Sequence, residues 1–182
     1  MKLFKNKFRI ESSRLKDWDY STPWWYYVTI CTNDMKCWFG EIKNGKMILN
    51  ELGKIIDEEW NKTKEIRINV KLDYYVVMPN HLHGIIIING PEKIDNVDKS
   101  VETHSNASLH KVKNNLSDII RGFKGSCTKR IHLSNNPAFK WQPRFYDHII
   151  RNENDLQRIR TYIQNNPLKW EIDEYFRNAP TS

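Results

Sequence analysis

Met78-Pro79-Asn80-His81-Leu82-His83-Gly84-Ile85-Ile86-Ile87-Ile88 is the stretch on which the reading of this chain turns. The β-branched run behind a Pro-Asn turn signal is too short for a helix and reads as a strand over residues 82–89. Side chains along a strand alternate between faces. His81, His83, Ile85 and Ile87 therefore share one face, and Leu82, Ile86 and Ile88 the other. Both faces are apolar, which places this strand in the middle of a sheet covered on both sides. Two imidazoles point at one spot. Ordinary strand histidines satisfied by backbone or water would look the same, but neutral imidazole is also a common metal ligand, and a rigid pair supplies two coordination positions. The pair alone leaves both readings open.

Working outward, Val70–Met78 is a second core strand that turns at Pro79-Asn80 into the first. Trp24–Thr32, aromatic and β-branched, is a third. Residues 38–49 read as a hairpin turning at Asn44-Gly45. Asn50 can cap a helix carrying Leu52, Ile55, Ile56 and Trp60 on one face. Leu116, Ile119, Ile120, Phe123 and Cys127 mark a second amphipathic helix, whose other side holds Arg121, Lys124, Lys129 and Arg130. That basic side is either a solvated surface or a phosphate-contacting one. Phe145–Arg151 is the fourth core strand. Asn154 is expected to cap the last helix, with Gln157 as its reciprocal partner, Leu156, Ile159 and Ile163 on its buried stripe, and an end near Asn166 ahead of Pro167. The order β-α-β-β-α-β plus a C-terminal helix is the ferredoxin-like α+β pattern, an antiparallel sheet with two helices on one face. The extra helix is left to cover the histidine face.

At 182 residues the chain has room for a single domain, expected over residues 1–182, with a basic arm over 1–22 and a polar mobile loop over 90–115. Lys and Arg number 29 against 22 Asp and Glu, a formal charge of +7 that favours a polyanionic partner. Seven Trp, eight Tyr and seven Phe accompany that charge, the combination single-stranded nucleic acid requires for stacking and neutralisation, although most such rings serve a core. Cys31, Cys37 and Cys127 lack the paired spacing of a zinc site and read as reduced thiols. No apolar stretch follows the N-terminal charges, so a cytoplasmic protein without a membrane span is expected.

On the last helix, Tyr162 lies about 60° from Ile159, and Asn166 follows four residues later on the same side. Packed beside the histidine face, this surface would bring a phenol and an amide to His81 and His83. The ordinary alternative is a core-edge tyrosine and a helix-end cap.

Together, MPNHLHGIIII and, some way downstream, WQPRFYDHIIRNENDLQRIRTYIQNNPLKW closely resemble the single-tyrosine HUH transposases, and most of all the REP-associated tyrosine transposases, over roughly residues 22–170. HUH denotes His, hydrophobic residue, His, matched by His81-Leu82-His83. The resemblance implies a ferredoxin-like nuclease and strand transferase for single-stranded DNA. It places the metal-binding pair on His81 and His83, the nucleophile on Tyr162 and a further metal-holding residue on Asn166. It also implies a divalent cation, Mg or Mn, a 5′-phosphotyrosine intermediate, and a hairpin-bearing DNA partner, with the protein acting as a monomer or homodimer. Candidate DNA contacts are Lys5, Lys7, Arg9, Arg121, Lys124, Lys129, Arg130, Trp141 and Arg144. Two further readings stand beside this one: a DNA-hairpin-binding protein that no longer transposes, and a metal-dependent phosphodiesterase that uses water.

Overall fold

The structure, a computed structural model, describes residues 15, 17–90 and 115–177, together with the backbone of the short antiparallel strands β1 (Leu3–Phe4) and β2 (Lys7–Phe8). Most of the expected basic arm and residues 91–114 of the expected polar loop lie outside the described residues.

The main sheet is formed by β3 (Trp24–Cys31), β6 (Val70–Val77), β7 (His81–Ile88) and β8 (Tyr146–Ile149), in the spatial order β6-β7-β3-β8. Every neighbouring pair is antiparallel. With α1 (Glu51–Glu65) between β3 and β6, and α2 (Leu116–Leu133) between β7 and β8, this is the ferredoxin-like arrangement anticipated from the element order. The hairpin β4 (Gly40–Lys43) and β5 (Lys46–Leu49) is inserted ahead of α1. It turns through Asn44 and Gly45, both at positive φ, as a two-residue hairpin loop requires. After β8 come α3 (Glu153–Asn165), a 3₁₀ segment (Pro167–Ile172) and the short α4 (Glu174–Arg177).

The alternation in β7 sorts the core into two layers. Leu82, Ile86 and Ile88 join Tyr26, Val28 and Ile30 of β3 against Ile56 and Trp60 of α1 and Ile119 and Phe123 of α2. Ile85 joins Tyr27 against Leu156, Ile159 and Ile163 of α3. A register shift between Leu72 and Tyr75 interrupts β6, and Asp73 in that bulge pairs with Arg160 of α3 at 2.8 Å. Thus α3 leans on the β6 side of its sheet face.

Asn50 caps α1 through Gly53 N (2.9 Å), as its place in the sequence suggests. The cap of α3 is a correction. Asn152, in extended backbone, accepts from Asp155 N at 2.9 Å, so the helix starts two residues earlier than Asn154 would set it. Gln157 instead donates to Glu153 one turn back (2.6 Å). Strand β8 is also shorter than its sequence pattern suggests: its ladder with β3 runs from Tyr146 to Ile149.

Gly84 explains its place in the histidine motif sterically. A Cβ there would fall 2.3 Å from Cζ2 of the fully buried Trp60. Alanine in a strand ordinarily gains stability over glycine by restricting the unfolded chain, but here the clash decides the sign. Gly84→Ala is expected to cost about 1–3 kcal/mol of overpacking, read as a lower urea midpoint at unchanged slope.

Candidate active site

The histidine pair sits on β7, hydrogen-bonded on both sides by neighbouring strands, with Thr29 and Val76 opposite His83. Both imidazoles are buried, and their Nε2 atoms lie 2.9 Å apart. Burial pushes both rings far below the ordinary imidazole range, His83 to about 3, and the neighbouring His83 lowers His81 further. Neutral rings keep lone pairs for a ligand.

The orientation of His81 is fixed by Asn80. The Asn80 amide nitrogen donates to the carbonyls of Met35 (2.8 Å) and Tyr175 (2.9 Å), which leaves its oxygen facing His81 Nδ1 at 2.8 Å. His81 Nδ1 must therefore carry the proton, and Nε2 the lone pair. Met35 offers its carbonyl from a left-handed backbone (φ 54), an uncommon conformation for that residue type. On His83, Nδ1 meets Tyr27 Oη (2.8 Å) and Thr29 Oγ1 (2.9 Å). Hydroxyls rotate and both donate and accept, so this side accommodates either tautomer.

From α3, Tyr162 places its Oη 3.4 Å from His83 Nε2, with the rings edge-on at 5.2 Å. The tyrosine is 41% exposed, so the phenol faces both the histidines and solvent. Asn166 follows one turn later and is buried. Its nitrogen reaches Asp173 Oδ2 at 3.3 Å, while its oxygen is buried with no hydrogen-bond partner. A ring of Tyr175 roofs His81 at 4.3 Å and His83 at 5.8 Å, and Trp170 stands 6.0 Å from His81.

The imidazole spacing fits a six-coordinate divalent cation. Adjacent ligands of an octahedral ion held at about 2.1 Å lie about 3.0 Å apart, close to the imidazole spacing. The buried oxygen of Asn166 has the unmet polarity that a cation would satisfy. Among the described residues no group of three His, Cys, Asp or Glu could hold a metal, so the set depends on the amide.

The other candidate contacts lie elsewhere. Lys5 and Arg9 fall outside the described residues, and Lys7 belongs to β2. Helix α2 packs on the sheet face opposite the histidines, so its basic residues do not line the pair. There Arg121 pairs with Asp118 (2.6 Å) and Arg130 with Glu58 (2.6 Å) and Glu59 (2.8 Å) of α1. Lys124 donates to the carbonyls of Gln142 and Arg144, pinning that loop, while Lys129 and Arg144 are exposed. Trp141 packs among Phe39, Phe123 and Phe139. His148 is held by Asp155 (2.7 Å). Sequence reasoning missed Asn80, Tyr27, Thr29 and Tyr175. The first three had a signal: Asn80 occupies the turn before His81, and Tyr27 and Thr29 alternate on one face of the neighbouring strand.

No family model matches the chain. It is 35% identical over 166 residues to an uncharacterized protein of Haemophilus influenzae, covering 91% of this chain and 92% of that one. Among solved structures it is similar to a REP-associated tyrosine transposase bound to a REP hairpin, with a TM-score of 0.57 at 21% identity, over 87% of this chain and 74% of the other. A Deinococcus radiodurans protein aligns over 87% of this chain and 97% of its own at 13% identity, with a TM-score of 0.40, a likeness too loose to argue from. Among the described residues no helix is long and apolar enough to cross a membrane.

Proposed function

This chain belongs to one family with the uncharacterized Haemophilus influenzae protein and has the fold of a REP-associated tyrosine transposase, and from that premise we propose that it is a metal-dependent endonuclease and strand transferase for hairpin-bearing single-stranded DNA. The observation that carries the reading is a half-exposed phenol 3.4 Å from one of two converging, neutral imidazoles. His81, His83 and Asn166 Oδ1 would hold Mg or Mn. When bound, the ion would withdraw charge from the scissile phosphate and from the departing 3′ oxygen.

The chain's own residues supply the rest. Helix α3 would aim Tyr162 Oη at phosphorus; the new O–P bond leaves a 5′-phosphotyrosine, the P–O3′ bond breaks, and the departing 3′ oxygen takes a proton from water to become a 3′-OH. A phenol titrates near 10, so its proton must leave as the bond forms, and the exposed side of Tyr162 opens a path to water. Attack by a second 3′-OH reverses the step and joins strands without an external energy source. The hairpin component rests on the ligand of the similar transposase structure.

A single-stranded hairpin labelled at its 3′ end, incubated with Mn or Mg, tests the reading. A denaturation-resistant protein adduct carrying the label is expected. Retained binding without cleavage would favour a hairpin binder, and cleavage without an adduct a hydrolase that uses water. Asn80 gives a second handle. Asn80→Ala frees the His81 ring to choose either tautomer and is expected to weaken Mn binding about 10–100-fold, measured by spin-resonance titration. Unchanged Mn affinity in a folded variant would remove the orienting role.

A further inference from the structure

At the end of α3 remote from Tyr162, a cleft of about 600 Å³ opens between the sheet and the first turns of that helix. Trp24 and Trp25 line it from β3, Arg151 from the link ahead of α3, Glu153 from the first turn of α3 and Arg160 from the middle of that helix, and Leu156 is among its apolar residues. Trp24 is 39% exposed, yet it is held: its Nε1 donates to Ile150 O at 2.7 Å, and its ring meets Trp18 edge-on at 5.8 Å. Arg160 is occupied by Asp73 at 2.8 Å and by Glu153 at 4.0 Å, so Arg151 is the cation with reach to spare. A rigid indole beside an exposed guanidinium suits a planar base and its phosphate.

The surroundings indicate which base. Stepping along β3 in twos, Trp25 pairs with Ile87, Tyr27 with His148, and Thr29 with both His83 and Tyr146. Trp25 in the cleft wall and the histidines thus share one sheet face, about 13 Å apart at roughly 3.3 Å per residue, while Trp24, at the first position of the strand, alternates to the other face and reaches the cleft around the strand's end. Since α3 leans toward β6, the β8 side of that face stays open. There the 49%-exposed Tyr146 stands level with His83, and His148, held by Asp155 of α3, stands between it and the cleft. The result is a row of partly exposed rings on a chain of formal charge +7.

We propose that the cleft holds a base of the same single strand whose phosphate reaches Tyr162, a few nucleotides away, with Trp24 as the stacking face and Arg151 as the phosphate contact. The proposal rests on the strand-transferase reading for the identity of its occupant. Single abasic sites, walked through the oligonucleotide around the cleavage position, test it by binding anisotropy. One or two adjacent positions are expected to cost wild-type protein about 5–150-fold in affinity, the range of a lost stacking contact. Trp24→Ala should abolish that dip, whereas Trp24→Phe should retain most of it. Arg151→Ala should weaken binding at every position and lower the salt dependence by about one phosphate.

A flat scan in the wild-type protein, or a dip that survives Trp24→Ala, overturns the proposal. If Trp24→Ala does not fold, the wild-type scan and Arg151→Ala still decide. Because the scan reads binding, its outcome is separable from adduct formation. An adduct with a flat scan removes the cleft and leaves the enzyme; a localised dip without an adduct keeps the cleft and removes strand transfer.

Discussion

Tyr162→Phe is expected to reduce the covalent protein–DNA adduct by at least about a thousandfold, the scale seen when a nucleophile is deleted. The substitution removes one oxygen and keeps the ring edge-on to His83 and Tyr27. With Tyr162 41% exposed, the loss of its hydroxyl should change stability by less than about 0.5 kcal/mol. Folding and DNA affinity then serve as internal controls measured on the same sample. His83→Ala would also be inactive but is a poorer test, because it takes the Nδ1 partner from the buried hydroxyls of Tyr27 and Thr29, leaving them only each other, and leaves a cavity in the sheet. Normal adduct yield from the Phe variant would remove Tyr162 as nucleophile.

Mild acid should destabilise the fold through the histidine pair. In the unfolded chain each imidazole takes up a proton near pH 6.5, whereas burial holds His83 neutral down to about 3. The unfolded state therefore binds more protons throughout that window, and stability rises with pH across it. The stabilising contribution is complete above the unfolded value and is lost as pH falls. Between pH 6.5 and 5, before most carboxylates are protonated, His83 alone should account for about 2 kcal/mol, with His81 adding in the same direction. That is a large share of a typical domain stability of roughly 5–15 kcal/mol. Urea midpoints at pH 7 and 5 measure it, and His83→Gln should flatten the slope. Equal midpoints in the wild-type protein would show that the pair is protonated at no cost.

The elements that came through from sequence are those with a strong period. Alternation in β7 separated the faces that meet α1 and α2 on one side and α3 on the other. The apolar stripe of α3 put Tyr162 at an edge that the fold turns toward His83. What stayed illegible involves contacts between distant segments. Asn80 bridges residue 35 to residue 175 through two main-chain carbonyls, which no local pattern encodes. Tyr175 stands in a four-residue helix too short to show a period. Arg130 reads as an available cation until α1 delivers Glu58 and Glu59 to it. Asn152 and Asn154 are equivalent candidates on composition, and only the geometry of the turn chooses between them.

Helix α3 begins at the aromatic cleft and ends at Tyr162 and Asn166, so it works as a ruler. Its graduations are coarse: inserting one residue between the two ends would advance the phenol by about 1.5 Å but swing it about 100° away from the histidines. Only changes near two whole turns, about seven residues, restore its heading. The offset between a gripped base and the point of scission is thereby locked against gradual drift, and relatives that cut at a different offset are expected to have altered the walls of the cleft instead of the length of the helix.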